Sequence, residues 1–442
     1  MPLIPRPAPV DLAAYSPDAA DPPAFYGLPR SIRFCARCVY SNQKPNSERE
    51  YKHTRDTKKS TVGFDANGLC DACRVALGKK AIDWKTREAE LRALCDRFRR
   101  DDGHYDCLVP GSGGKDSFYA AHRLKYEFGM NPLTVTWAPH IYTDWGWKNF
   151  QAWIHAGFDN VLFTPNGRVH RLLTRLAVER IFHPFQPFMM GQMYFPPKMA
   201  IERDIPLVFY GENPAEYGNP TKENESARKD WSYFTSGQLD DIHIAGTSMR
   251  ELHGEFGLKA VDLEPYLPPD PAKLEAKKVE VHYLGYYLPW HPQANYYYAV
   301  EHGDFVASPE RTAGTYSKYS SIDDKIDDLH YYTTFVKFGI GRATYDAAQE
   351  ARNGDITRDE AVALVKRFDG EYPTRFETEN FQYLSLPKHR FGAVADRFEE
   401  PMVDRAYFDA LTDRFRSPHL WQKDHQGPNA SWRLRRTACM EN

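Results

Sequence analysis

The run Gly111-Ser112-Gly113-Gly114-Lys115-Asp116-Ser117, set between a short apolar segment and a helical pattern, constrains this 442-residue chain more than any other feature. Glycines lack a Cβ, so successive backbone N–H groups can converge on phosphate oxygens. A helix that follows adds the positive end of its dipole. Ser112 and Ser117 can donate hydroxyl hydrogen bonds, and Lys115 adds a charge. A carboxylate at Asp116 repels phosphate, so its place here makes sense through Mg2+. Val109 and Asp116 stand where a Walker A loop needs Gly and Ser or Thr, so this loop is of another kind.

The segments around the loop alternate. Residues 105–110, 132–137, 160–164 and 206–210 read as strands, and 279–286 as a fifth. Residues 117–128, 145–156 and 169–181 read as helices. This order predicts a doubly wound α/β fold with a parallel sheet, whose ligands sit at the carboxyl ends of the strands. The polar interval 211–278 is long enough to be a substrate insertion or lid. The chain then turns helical. An acidic first turn starts a helix over 321–330, its Asp323/Asp324 and Asp327/Asp328 pairs forming a solvated face. Thr357 and Glu360 make a capping box before 361–368. The expected layout is a flexible tail (1–30), a cysteine module (31–80), a linking helix (81–102), the α/β core (103–300), a helical region (301–395) and an extension (396–442). Leu91, Leu94, Cys95 and Phe98 give the linking helix one apolar stripe.

Cys35, Cys38, Cys70 and Cys73 form two C-x2-C pairs. Two such knuckles complete a closed tetrahedron, which suits structural Zn2+; an iron–sulfur cluster and unmetallated thiols are the competing readings. Cys95 and Cys107 read as core residues. Cysteine pairs of this kind, no apolar run of the roughly 20 residues needed to cross a bilayer, and no secretory leader predict a reducing, cytoplasmic setting. The formal charge of −3 gives no global attraction to nucleic acid or membrane. Residues 30–100 nonetheless carry 18 Lys/Arg against 9 Asp/Glu, a possible docking surface for an acidic partner or RNA.

The order Ser112-Gly113-Gly114-Lys115-Asp116-Ser117 resembles the PP-loop of the ATP-pyrophosphatases, a HUP-like superfamily that binds ATP and releases pyrophosphate. That resemblance implies ATP and Mg2+ at residues 112–117, with Thr136 and Trp137 as candidates to hold adenine. Longer segments resemble the N-acetyl sugar amidotransferases of bacterial surface-polysaccharide biosynthesis. Among them are Thr136-Trp137-Ala138-Pro139, His183-Pro184-Phe185-Gln186-Pro187, Gly211-Glu212-Asn213-Pro214 with Glu216-Tyr217-Gly218, Lys318-Tyr319-Ser320-Ser321 and Phe338-Gly339-Ile340-Gly341-Arg342-Ala343. The resemblance implies conversion of a sugar acetamido group to acetamidino through an O-adenylated intermediate, in lipopolysaccharide or nonulosonic-acid biosynthesis. It also implies a separate glutaminase subunit supplying ammonia.

Lys115, Asp116, Glu212, Asn213 and Glu216 are the expected catalytic residues, the last three because they follow the fourth strand. Lys318 and Arg342 are weaker candidates to balance substrate charge. Two other readings compete. A tRNA-thiolating enzyme would explain the basic module, against the acidic balance elsewhere. A non-catalytic nucleotide-binding scaffold would not explain an intact Lys115 and Asp116.

Overall fold

The computed structural model describes residues 3–47, 49–236, 238–423 and 431–437. Cys439 and the end of the extension lie outside them. Five parallel strands form the central sheet in the order β3-β2-β1-β4-β5: β1 Cys107–Pro110, β2 Pro132–Trp137, β3 Asn160–Phe163, β4 Leu207–Tyr210 and β5 Glu280–Tyr283. Register runs Leu108 to Leu133 and Val208, and Val208 to Val281. Successive side chains of a strand point to opposite faces. Leu108, Val135, Val208 and Val281 therefore enter one core, while Cys107, Val109, Leu207 and Phe209 enter the other. Both faces are covered, which is why these strands read as continuous apolar runs.

The helices used below are α1 Asp71–Gly78, α2 Trp84–Phe98, α3 Lys115–Tyr126, α4 Asp144–His155, α5 Gly167–Ile181 and α6 Gln186–Arg203. They continue with α7 Pro292–Gly303, α8 Asp327–Phe338, α9 Arg342–Asn353 and α10 Arg358–Phe368. Leu91, Leu94 and Cys95 are buried on α2, as its apolar stripe predicts. Thr357 caps α10 with the reciprocal Glu360 bond.

Several expectations need correction. Helix α6 was not legible, because Pro196 and Pro197 lie inside it and proline disfavours helix interiors; burial against the sheet stabilises it instead. The fifth strand stops at Tyr283 and the chain winds into a short helix, Leu284–Tyr287, with Gly285 N–H bonded to Gly211 O at 2.9 Å. A short apolar run looks the same in either state. The helix expected from residue 321 starts at Asp327, and Asp324, Asp327 and Asp328 are buried rather than solvated. The Pro/Ala-rich start is not loose either. Ile4 N–H bonds to Arg397 O at 2.7 Å, and the Tyr15 hydroxyl donates to Arg416 O at 2.8 Å. Tyr15 also packs edge-on against Trp432, so aromatic anchors override the composition.

On α6, a Cβ at Gly191 would fall 2.2 Å from the Trp137 ring. Gly191→Ala should therefore cost about 1–3 kcal/mol of overpacking, read as a lower denaturant midpoint at constant slope.

Candidate functional site

The sheet order changes direction between β1 and β4, and ligands of open α/β sheets bind beyond the strand ends at such a point. The loop leaving β1 and the loop leaving β4 meet there, at a cavity of about 810 Å³. Gly113 has φ +84°, and a Cβ on it would lie 2.7 Å from Asn149 O and 2.8 Å from Phe150 Cα on α4. Only glycine fits this turn. Helix α3 begins at Lys115 behind Gly114, which has no side chain to cap it. Its first-turn N–H groups are thus available to an anion. Ser117 Oγ donates to Gly114 O at 3.0 Å and closes the turn.

Carboxylates gather around this helix end. Asp116 pairs with the buried Lys115 and accepts a 2.9 Å bond from Asn295 Nδ2 on α7. Glu212, two residues past β4, is pushed up to about 7 by burial and then by the Asp116 charge. Asp323 is raised by burial, with the neighbouring Ser112 side chain acting in the opposite direction. Asp327 is raised well above its ordinary value by burial, against the pull of Arg342. Arg342, the first residue of α9, donates to Ser321 Oγ at 2.8 Å and to the Tyr331 hydroxyl, and pairs with Asp346 at 3.1 Å. All of these groups except Asn295 line the one cavity. Carboxylates whose charged forms are disfavoured beside a phosphate-competent turn fit a hard divalent cation brought in with polyphosphate.

Other expected site residues lie elsewhere. The Trp137 ring is buried, stacked on Phe163 at 4.9 Å, and Thr136 accepts from Asn160 Nδ2 at 2.9 Å; neither lines the cavity. Asn213 Oδ1 accepts from Ala215 N–H at 2.9 Å and shapes the turn. Glu216 is buried 2.6 Å from Lys79 Nζ, which also donates to Trp290 O, so it ties the end of the cysteine module to the core. Lys318 is exposed and donates to Pro309 O. Asp323, Asp327 and Asn295 were not foreseen. Paired aspartates look like a solvated helix face, and only tertiary packing turns them inward.

The four module cysteines are buried with their Sγ atoms within 4.8 Å of one another. Cys35 to Cys73 and Cys38 to Cys70 are each 3.7 Å. That is close to the edge of a tetrahedron with metal–sulfur bonds of about 2.3 Å, so the cluster could hold zinc. Backbone N–H groups of Arg37, Tyr40 and Cys70 point at the sulfurs. The cysteines pack on Ala347, Ala348 and Ala351 of α9. The segment between the pairs runs along the cavity and contributes Lys44, Glu50, His53 and Lys59 to its wall. The module is therefore part of the site. Among the described residues, no helix is long and apolar enough to cross a membrane.

The fold and site together define an α/β protein with a parallel five-strand sheet, a glycine-rich turn at a helix N-terminus, a carboxylate-rich cavity and a four-cysteine module. Residues 313–437 match the family model described as LPS biosynthesis protein WbpG-like, C-terminal domain, which points to a role in lipopolysaccharide biosynthesis. An uncharacterized protein of Methanocaldococcus jannaschii, MJ1599, is 32% identical over 83 residues, 19% of this chain and 29% of that relative. The match thus spans under a third of the relative's length.

Proposed function

We propose that the chain is an ATP-dependent, AMP- and pyrophosphate-forming amidotransferase of the PP-loop type. It would convert the acetamido group of a sugar, free or nucleotide-linked, to acetamidino in surface-polysaccharide biosynthesis. One observation carries this reading: the WbpG-like segment supplies Asp323, Asp327 and Arg342 to the same cavity that holds the glycine-rich turn.

In this reading the α3 N–H groups, Ser112, Ser117 and Lys115 hold the β and γ phosphates, and Asp116, Glu212 and Asp323 serve the accompanying Mg2+. An amide carbonyl is a poor electrophile because its oxygen leaves badly. Attack of that oxygen on the α-phosphorus forms an O–P bond and expels pyrophosphate. Ammonia then adds to the carbon, and AMP departs with the former amide oxygen, leaving an amidine and a released proton. The protein's share is positioning and charge stabilisation. Zinc in the cysteine cluster is structural, since four thiolates leave no open position. Ammonia comes from a glutaminase partner. The thiolation alternative gains nothing from Cys95 and Cys107. Both are buried, and burial pushes the Cys95 thiol up to about 12 and that of Cys107 well above its ordinary value, the opposite of a reactive thiolate.

The test mixes protein, MgATP, ammonium and a panel of acetamido sugars, and follows AMP and product mass. AMP release that depends on one sugar, with exchange of O for NH, supports the proposal. AMP release only with tRNA and a sulfur donor would sink it.

A pH dependence follows from Glu212. With its ionisation near 7, a proton occupies the carboxylate below that pH and must leave before a cation binds. MgATP affinity should rise by up to about tenfold per pH unit on approaching neutrality from below, then level off. Glu212→Gln should flatten the profile in calorimetric titrations; an unchanged profile would remove Glu212 from the cation site.

A further inference from the structure

Beyond the ends of β4 and β5 the polar interval delivers a lysine to the cavity. Residues 227–229 run antiparallel beside β5. Tyr283 N–H donates to Ala227 O at 2.9 Å, Lys229 N–H donates to Val281 O at 2.8 Å, and Arg228 bridges to His282. Successive residues of an extended segment point to opposite sides, so Arg228 is exposed while Lys229 turns inward and is only 9% exposed. Its side chain lines the cavity with Tyr210 and Tyr283, the last residues of β4 and β5, and with Met189, Gln192 and Met193 of α6.

Three rings surround the ammonium. Lys229 Nζ lies 4.6 Å from the centroid of the Tyr210 ring and 5.9 Å from those of Phe234 and Tyr283. Ring faces hold a cation but do not replace the oxygens an ammonium donates to in water. Among the described residues, nothing accepts a hydrogen bond from Nζ and no carboxylate pairs with it. Burial alone lowers its ionisation to about 8, with no neighbouring charge contributing. At neutral pH about nine-tenths of the group therefore keeps its proton. The titratable groups beside it are the Tyr210 and Tyr283 phenols, and α6 presents none there. Burial holds the Tyr210 phenol above its ordinary range, and it donates to Met193 O at 3.3 Å, so it offers no negative charge. Other cations of the region are engaged: Lys115 with Asp116, Lys79 with Glu216 and Arg342 with Asp346. A buried ammonium that lacks an acceptor is costly, and an anion entering the cavity supplies one.

We propose that Lys229 is an anion-contact residue: its ammonium, held in place by the three rings, takes a phosphate oxygen of a bound substrate. The contact stands on its own geometry; its use in an amidotransferase rests on the reaction proposed above. The ends of β1 and β5 are two strand spacings apart, about 10 Å. The turn and Lys229 thus address different points of one ligand, or two ligands held side by side. Two sources carry the same phosphate chemistry. One is the α-phosphate of the nucleotide, where a cation offsets the charge that develops as the acetamido oxygen attacks. The other is the diphosphate of a nucleotide-linked acceptor.

Calorimetric titrations of the full chain with two probes, α,β-methylene-ATP with Mg2+ and UDP, separate the sources. Lys229→Met suits the aromatic surroundings and should melt no lower than wild type, while weakening at least one probe about tenfold or more. Loss confined to the ATP analogue puts Lys229 on the nucleotide, and loss confined to UDP puts it on the acceptor. Loss of both means that the two ligands share the contact. The pH profile is a second readout, which a packing role would not produce. Affinity for the affected probe should fall as pH rises through about 8, where the ammonium loses its proton. Lys229→Arg stays charged and should bind above pH 8 as well as below it. Wild-type affinity in a folded Lys229→Met protein for every probe that binds, or no binding of either probe to wild type, overturns the proposal. Lys229-dependent binding of UDP without binding of the ATP analogue keeps the contact and removes the ATP-dependent reaction.

Discussion

Exchanging Cys38 for Ser is expected to remove the metal and the ordered N-terminal wall of the cavity together. A serine hydroxyl is a far weaker zinc ligand than a thiolate, and for structural sites of this kind binding and folding share on the order of 10 kcal/mol. Cys38 is fully buried among Val39, Tyr40 and the α9 alanines, so disorder at the cluster propagates into α9 and its neighbour α10. The loss should be on the order of 5 kcal/mol, within reach of the whole margin of a typical domain. Elemental analysis should show close to one equivalent of zinc lost, and limited proteolysis should cut between the cysteine pairs. Because that segment carries Lys44, Glu50, His53 and Lys59 into the cavity, ligand binding should fail with it. A Cys38→Ser protein that melts like wild type and retains its zinc would show that the cluster is not a metal centre.

Asp116→Asn should act in the opposite way, leaving the fold and disabling the chemistry. The asparagine carbonyl can still accept the bond from Asn295 Nδ2, and the side chain is only partly buried, so melting should barely change. In the proposed reaction, what is lost is the negative charge that Asp116 would offer the cation accompanying ATP. Single groups that stabilise developing charge in such sites are typically worth about 10²–10³ in turnover. AMP formation should fall by that factor, with a smaller effect on nucleotide affinity. Turnover within about twofold of wild type would mean that Asp116 serves only to position Lys115.

Much of the architecture was legible because it is written in local patterns. Leu108, Val109, Val135 and Phe209 sit in apolar runs punctuated by glycine, and the Thr357–Glu360 box announces a helix start. The turn at 111–117 was legible for the same reason: its glycines, serines and charges are consecutive. The cysteine pairs likewise declare a common centre, and the Sγ separations agree with one. Elsewhere local pattern misled. Glu212, Asn213 and Glu216 are neighbours in the chain, but only Glu212 reaches the cavity, because Asn213 folds back on Ala215 and Glu216 turns to Lys79. Helix α6 contradicts its own prolines.

The sequence by itself determined the order of the five strands and of helices α2 to α5, the glycine-rich turn and the grouping of the four cysteines. Each is a matter of spacing between residues a few positions apart. Only the tertiary structure decided what surrounds the turn. Asp323, Asp327 and Arg342 arrive from about two hundred residues downstream, and Glu50, His53 and Lys59 from more than fifty upstream. Nothing local marks a charged side chain as inward-facing. Its burial is decided when distant segments close over it, and the same desolvation that raises or lowers its ionisation makes it useful to a ligand.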